Sequence, residues 1–544
     1  MGTPRLFSLC VSILLFVVVL RACPAQTAAR QPGELVWTIG YDPRTFDPAK
    51  VDDIDSETVR YLTAGVLLRF NRATEQIEPR LAESWTLSPD GKTIVFHLRR
   101  GLRFSDGSAL AARDVAWSIR RVLLKSTDAP VAEEFLNPAG VTVAAPDPQT
   151  VVVHLPQRVI GIGKVFDEIA IEPANRPGES RVTSGPFFVA DYQRSQFVRL
   201  HRNPHYSLRD ASGATLPLAA DIRLDIVQNT EQEVRQFLHG DSDLLVRIPP
   251  DYFEMLRKKD PAAVRDLGPS LNSEQMWFNQ DPASPLPPWE KAWFQSQIFR
   301  VAISQAIRRD DLARIVYLGH ATPAYSFVSP ANGAWYNHNL SAPHTDPAAA
   351  RAALLRAGFR MQGSQLEDAA GHPVKFSIVT NSGNDARLRM ATLIQQDLVA
   401  IGIGVNVVTL DFPALIERLM HTGNYEACLM GLENVDPEPN AMMNIWLSSS
   451  PNHQWNPSEK TPATPWEAEI DRAMTLQATS RSSAERKTVI DRVQQIVADE
   501  EPFIYLVYPN ALVAVSPRLA GAHPAVIEPE VWWNVERLHL RSTP

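Results

Sequence analysis

The 544-residue chain is 44% hydrophobic and 21% charged, and its 53 basic against 61 acidic residues leave a net charge of -8. That length supports several lobes rather than one core, and the acidic balance excludes the basic footprint of a nucleic-acid-binding protein. Of the 3 cysteines, Cys10 and Cys23 fall in an N-terminal leader, so Cys428 stands alone in the mature body and no internal disulfide can staple it.

Residues 1–29 read as an export signal: Arg5, an apolar run over residues 6–20, then small residues through Ala25, Ala28 and Ala29. An apolar run of about 15 residues is shorter than the roughly 20 a spanning helix needs, so a cleaved leader is expected. Two cleavage readings stay open. Leu20-Arg21-Ala22-Cys23 has the form of a lipoprotein box that would put a lipid on Cys23, and Thr27-Ala28-Ala29 suits an ordinary signal peptidase. Both imply a periplasmic or cell-envelope location.

The mature chain opens with β-favouring residues over 35–40, a turn at Asp42-Pro43 through Asp47-Pro48, and a helix expected over residues 54–70 with Val59, Leu62 and Val66 inward. Residues 79–123 come next. Asp90-Gly91 and Asp106-Gly107 are turn signals flanking the alternating run over 93–98, which predicts a hairpin. Val115, Ile119 and Val122 then share one helical face, with capping oxygens available from the segment Ser105-Asp106-Gly107-Ser108.

Leu81-Ala82-Glu83-Ser84-Trp85, Ser88-Pro89-Asp90-Gly91-Lys92, Phe104-Ser105-Asp106-Gly107 and Asp114-Val115 closely resemble the signature of the extracellular solute-binding protein family 5, the peptide and nickel receptors of ABC importers. Gly185-Pro186-Phe187, the run from Arg202 to Tyr206 and the run from Arg300 to Ile307 resemble later landmarks in the expected order. The resemblance implies an α/β, two-lobe periplasmic binding protein fold, type II-like and of cluster C, with an extra inserted subdomain. It places lobe I at 30–63, 181–275 and 505–544, the inserted subdomain at 64–180, and lobe II at 276–504, with a hinge near 270–280 and 500–512. It also implies peptide capture between the lobes, delivery to membrane permease subunits, no cofactor, no resident metal and a monomer. Nickel-chelate and oligosaccharide capture are the alternatives within the fold.

Further along, Val151 to Leu155 is a strand whose His154 is expected to be a satisfied strand residue, having no partner at metal spacing. Gly185 is either a plain turn or, by resemblance, a close backbone approach to the cleft. Strands are expected at 197–200 and 220–227, and a helix at 231–238 that stops at Gly240. Trp277 is a candidate cleft-lining residue, and Asn279 resembles a strand-end asparagine that holds a turn. One helix is expected over 297–317, with Arg300 and Arg309 bracing the lobe. Strands and helices then alternate at 347–357, 374–380, 385–400 and 405–410, with Leu388, Leu393, Ile394 and Leu398 turned inward in the longest helix.

The segment from Tyr425 to Pro437 is a strand running into an acidic loop. By resemblance, Glu433 occupies the position of a carboxylate that pairs with a peptide's α-ammonium, although Leu432 stands where the family has tryptophan; the alternative is a solvated loop acid. Asp436 is expected to cap the next helix. Arg387 and Arg389 are candidate forks for a ligand carboxylate, against a solvated helix face. Trp446, Trp455, Trp532 and Trp533 offer aromatic surface for peptide side chains or a sugar face, with core packing the default for each. No G-x-S-x-G, H-E-x-x-H, paired C-x-x-C or P-loop segment occurs. A receptor rather than an enzyme is expected, with a secreted hydrolase of unrecognised site as the reading from another class.

Overall fold

The computed structural model describes residues 30–541 apart from 136, 137, 177, 179, 180, 435 and 481. The leader, with Cys23 and both cleavage readings, lies outside the described residues.

The first sheet runs in the order Leu35–Ile39, Asp221–Ile226, Phe197–Arg202, Phe187–Gln193, parallel at the first pairing and antiparallel after it. The helix Ile54–Thr63 belongs to the same core through Val59 and Leu62. Its start is fixed by Asp53, whose carboxylate accepts from the N–H groups of Asp55 and Ser56. The helix ends at Thr63 rather than running to 70, and Val66 is buried outside it. Steric crowding explains the stop. A Cβ on Gly65 would lie 2.2 Å from the Ser184 hydroxyl, and one on Gly185 would lie 2.2 Å from the Thr63 carbonyl oxygen. Two glycine-bearing segments therefore cross in backbone contact, which ends the helix and sends the chain into the short strand Leu68–Phe70.

Beyond that crossing, Ala82–Leu87, Thr93–Leu98, Thr150–His154 and Thr142–Asp147 form a second, wholly antiparallel sheet. The hairpin turns at Gly91, φ 72°. Helix Ala112–Leu123 buries Val115, Ile119 and Val122 over this sheet in a core with Phe96, Phe104 and Phe166. Its N-terminus is held by Asp114, which accepts from the Ala111 N–H at 3.0 Å. The segment Ser105-Asp106-Gly107-Ser108, expected to offer capping oxygens, instead has Asp106 serving Ser108 and Arg176. His154 is exposed and bonded to Thr93 Oγ1 at 3.0 Å.

The largest sheet has Ser273–Phe278 between Ala427–Leu432 and Ile504–Val515, followed by Lys375–Asn381 and Gly404–Leu410. All six residues of Ser273–Phe278 are buried. The predicted helix over 297–317 is broken: Gln297–Ala306 ends where Ile307 turns extended, and Arg309–Asp311 leads into a π turn, Leu312–Val316. The break lets Arg309 turn inward to donate to the carbonyls of Ser304, Ala324 and Tyr505. Ile298 is 49% exposed, while Ala302 and Ala306 are buried. Helix Asp385–Ala400 packs through Met390, Ile394 and Leu398. Leu388 faces outward, because residues two apart on a helix point about 200° apart and Met390 holds the inward position.

Strand Ile504–Val515 belongs to both halves of the molecule. Its first residues pair with Ser273–Phe278 and its last with Leu244–Leu245 and Val264–Pro269. His320 is fastened beside this crossing, its Nδ1 2.6 Å from Asp266 and its Nε2 2.8 Å from Glu254, while the Asn510 N–H donates to its carbonyl at 3.0 Å. Among the described residues, no helix is long and apolar enough to cross a membrane.

Candidate ligand-binding cleft

Ala427–Leu432 pairs in register with Ser273–Phe278, Leu432 opposite Ser273, so Glu433 emerges at the end of the central sheet next to the crossing segment 270–272. Asn434 fastens the acidic loop there: its N–H donates to Asn272 Oδ1 at 2.7 Å, and its Nδ2 to the Leu271 carbonyl at 3.1 Å. The Glu433 carboxylate is exposed, and no hydrogen bond or ion pair among the described residues engages it.

Arg247, just past Leu244–Leu245 and with φ 52°, feels the Glu433 charge. An arginine in the left-handed region is backbone strain of roughly 1–2 kcal/mol, the kind that persists where surroundings over-determine a functional position. Arg247 is ion-paired with Glu528. Burial alone would lower its pKa, but the carboxylates of Glu528, Glu530 and Glu433 raise it. Glu530 is 4% exposed, and burial together with Glu528 pushes its carboxyl up to about 7 against the pull of Arg247. Glu528 is the contact partner of this guanidinium, and the charges of Glu530 and Glu433 act on it from further off. The surplus is negative, which favours a cation arriving between the lobes.

A recess of about 340 Å³ adjoins Glu433, walled by Leu271, Phe327, Trp335 and Met442 and edged by Asn434 and Asp436. Apolar walls with a few polar groups at the rim suit a side chain of variable shape. Asp436 accepts from the Glu438 N–H at 2.9 Å, holding the turn that leads into the short helical turn Pro439–Met442, and also pairs with Lys164 Nζ at 2.6 Å. Lys164 lies on helix Ile162–Glu168. This contact ties the sheet of Glu433 to the unit built on residues 82–154. A larger recess of about 400 Å³ at Phe46, Arg60 and Ile171 lies away from this cluster. Its charges are already committed, Arg60 to Glu57 and Glu172 to Arg121.

The other predicted site residues are engaged elsewhere. Trp277 and Trp446 are 1% and 0% exposed and pack with Trp455 and Phe503 in an aromatic core, so neither lines the cleft. Inward-facing aromatic area is worth more against Phe503 than exposed to water, which is why Trp446 keeps its default of core packing and Trp277 is core rather than cleft lining. Asn279 is buried and donates to the carbonyls of Gly423 and Tyr425, holding a turn and facing no solute. Arg387 forks onto Glu274 at 2.9 and 3.2 Å and donates to Asn381 at 2.8 Å, so its donors serve a buried carboxylate. Burial pushes Glu274 up, and Arg387 opposes that. Arg389 pairs on the surface with Asp251 at 3.2 Å. Gly185 sits against the helix end at Thr63 rather than at the cluster around Glu433. Gly185→Ala is expected to lower stability by about 1–3 kcal/mol by overpacking, read as a lower urea midpoint with an unchanged slope.

The bacterial extracellular solute-binding proteins, family 5, match residues 76–454. This chain belongs to that family. The receptor is 26% identical to a probable ABC transporter-binding protein of Deinococcus radiodurans, over 92% of each chain. It is 23% identical to the probable D,D-dipeptide-binding periplasmic protein DdpA of Escherichia coli, over 93% of this chain and 95% of that one. The solved structure of the oligopeptide-binding protein AppA from Bacillus subtilis, in complex with a nonapeptide, superposes with a TM-score of 0.72 at 20% identity, covering 94% of this chain and 99% of that one. The two-lobe α/β architecture of this solute-binding protein is therefore the family's own.

Sequence reading missed Arg247, Glu528 and Glu530. Arg247 follows the short Leu244–Leu245 pairing and carries no motif. Glu528-Pro529-Glu530 does carry a signal, two carboxylates about a proline in a segment otherwise rich in apolar residues.

Proposed function

We propose that this protein is the extracytoplasmic receptor of an ABC importer that captures peptides between its lobes, with Glu433 as the counter-charge for the peptide's α-ammonium. The observation that carries the reading is the unengaged Glu433 carboxylate, whose charge is felt by a cluster in which Glu528 and Glu530 already share the Arg247 cation. Relatives named as dipeptide- and oligopeptide-binding proteins support the ligand class. The lobes are taken as 30–63, 181–275 and 505–544 for the first, and 276–504 for the second, with 64–180 inserted. Residues 1–29 are the export leader, and the receptor works as a monomer with the permease as its membrane partner. Contacts from both lobes exist together only when the lobes are closed, so ligand shifts the population toward closure by its differential affinity, and the Lys164–Asp436 pair adds to the closed form.

A sugar reading would need an exposed tryptophan face at the recess, and Trp335 there already has the Arg486 guanidinium 4.6 Å from its ring centroid, while Trp277, Trp446, Trp455 and Trp532 are buried. The test is a thermal-shift screen of the chain lacking residues 1–29 against di- to pentapeptides, oligosaccharides and nickel chelates. Ligand at about 100 times its Kd stabilises by about 2.7 kcal/mol, so peptides are expected to raise the midpoint and the other two classes to leave it unmoved. A shift with only sugars or chelates contradicts the peptide assignment.

The cluster also sets a pH dependence. Glu530 has its folded pKa raised from 4.5 to about 7 by burial, so stability is lost as pH rises from about 4.5 to about 7, and the loss levels off above that. A bound ammonium neutralises that charge. Peptide affinity is therefore expected to rise between about pH 6 and pH 7.5, below the α-amino pKa near 7.7–8.0, and the rise is expected to vanish in Glu530→Gln. Titration calorimetry across that range measures both.

A further inference from the structure

The segment after the aromatic core brings together three metal-ligating side chains remote from the cleft cluster. His453 is fully buried, and its Nδ1 lies 2.9 Å from the Ile445 carbonyl oxygen. A carbonyl only accepts, so Nδ1 carries the proton and the lone pair of the neutral ring is on Nε2. That Nε2 is buried without a hydrogen-bond partner. It points at two carboxylates, 3.7 Å from Glu459 Oε1 and 3.6 Å from Glu467 Oε1. The three ligating atoms all lie within 4.8 Å of one another.

Each carboxylate is itself held in place. Glu467 accepts from Trp455 Nε1 at 2.9 Å and from the Thr464 hydroxyl at 2.7 Å, while Glu459 accepts from Asn456 Nδ2 at 2.6 Å and the Ala463 N–H at 2.7 Å. The His453 ring packs on Trp455, centroids 3.9 Å apart. A histidine fixed through Nδ1–H to a carbonyl, with carboxylates oriented by their own donors, is the outer-shell pattern of a metal ligand set. The separations discriminate between two cations. A proton shared from an imidazolium would draw nitrogen and oxygen to about 2.7–2.9 Å. Ligands each about 2.1 Å from a tetrahedral metal stand about 3.4 Å apart, close to the two nitrogen–oxygen separations of 3.7 and 3.6 Å.

We propose that His453, Glu459 and Glu467 form a structural site for a divalent transition metal of the zinc class. One imidazole nitrogen and two carboxylate oxygens suit that chemistry, with water completing the shell. Two carboxylates and a neutral imidazole balance a divalent charge, which a buried site requires. The ion clips the loop over 453–464 to the first turn of helix Pro465–Thr479, against Trp455 and Trp466.

The test uses the full mature chain, stripped with chelator, exposed to zinc ion, dialysed and assayed for metal content and thermal midpoint. About one equivalent of zinc is expected to be retained, with a midpoint raised by several degrees. His453→Gln and Glu459→Gln are expected to lose both, and Glu433→Gln, which alters only the cleft, to keep both, so failure here is separable from failure of the peptide reading. If His453→Gln does not fold, Glu459→Gln decides, together with the visible absorption of cobalt ion in the wild type. No retained zinc, or equal retention in Glu459→Gln and wild type, overturns the proposal and leaves an imidazolium held between two carboxylates.

Discussion

Glu433→Gln is expected to weaken binding of a free-amine peptide by roughly 10- to 150-fold, the equivalent of the 1.5–3 kcal/mol a charge-assisted hydrogen bond contributes. The amide keeps the size and hydrogen-bonding reach of the carboxylate and removes only its charge. Glu433 has no partner to release among the described residues, so the substitution leaves no orphaned cation and the fold should be unaffected. Its removal relieves like-charge pressure on Glu274 and Glu530 and gives up a favourable charge on Arg247, which keeps its ion pair with Glu528. The unliganded variant is therefore expected to be about as stable as the wild type. Titration calorimetry reads the first effect and urea unfolding the second. Lost affinity with lost stability would mean that Glu433 is a structural acid.

Arg309→Met is expected to destabilise the fold by about 3–5 kcal/mol, the range for leaving a buried carboxylate without its compensating cation. Arg309 is 1% exposed, donates to three backbone carbonyls and to the Ser304 hydroxyl, and lies over the Tyr325 ring. Its counter-charge is Glu501, 4% exposed, whose carboxyl burial pushes up to about 7 against the pull of Arg309 and Ser304. Without the guanidinium that folded pKa climbs further. A carboxyl raised in the folded state weakens folding at pH above its unfolded value, and protonation relieves the penalty as pH falls. The deficit should accordingly be larger at about pH 8 than at about pH 6. Urea unfolding of both proteins at the two pH values measures it, and an equal deficit would assign the loss to packing and hydrogen bonds alone.

Much of the fold is legible in the sequence because the elements repeat local rules. The hairpin around Asp90-Gly91, the glycine stop at Gly240 and helix Asp385–Ala400 follow from turn chemistry, capping and period. The illegible parts are decided by contacts distant in sequence. The helix from Ile54 stops at Thr63 because Gly65 meets Ser184. The break at Ile307 accommodates Arg309 reaching a strand some two hundred residues later.

The site divides the same way. Glu433 is visible because a strand-end acid before Asp-Pro is a local pattern. Arg247, Glu528 and Glu530 are invisible because Arg247 and Glu528 stand 281 residues apart in the chain and meet only in the fold. Trp277 and Trp446 show the converse error: residue type suggests a ligand surface, and burial against Phe503 settles them as core. Arg387 has the residue type of a free fork, yet its donors already hold Glu274.

The most direct measurement compares one stabilising peptide with its N-acetylated form by titration calorimetry on wild type and Glu433→Gln. The account predicts that acetylation weakens binding strongly in the wild type and little further in the variant, because the ammonium and Glu433 are partners. An equal loss on acetylation in both proteins, or none in the wild type, would contradict the pairing at the centre of the cleft.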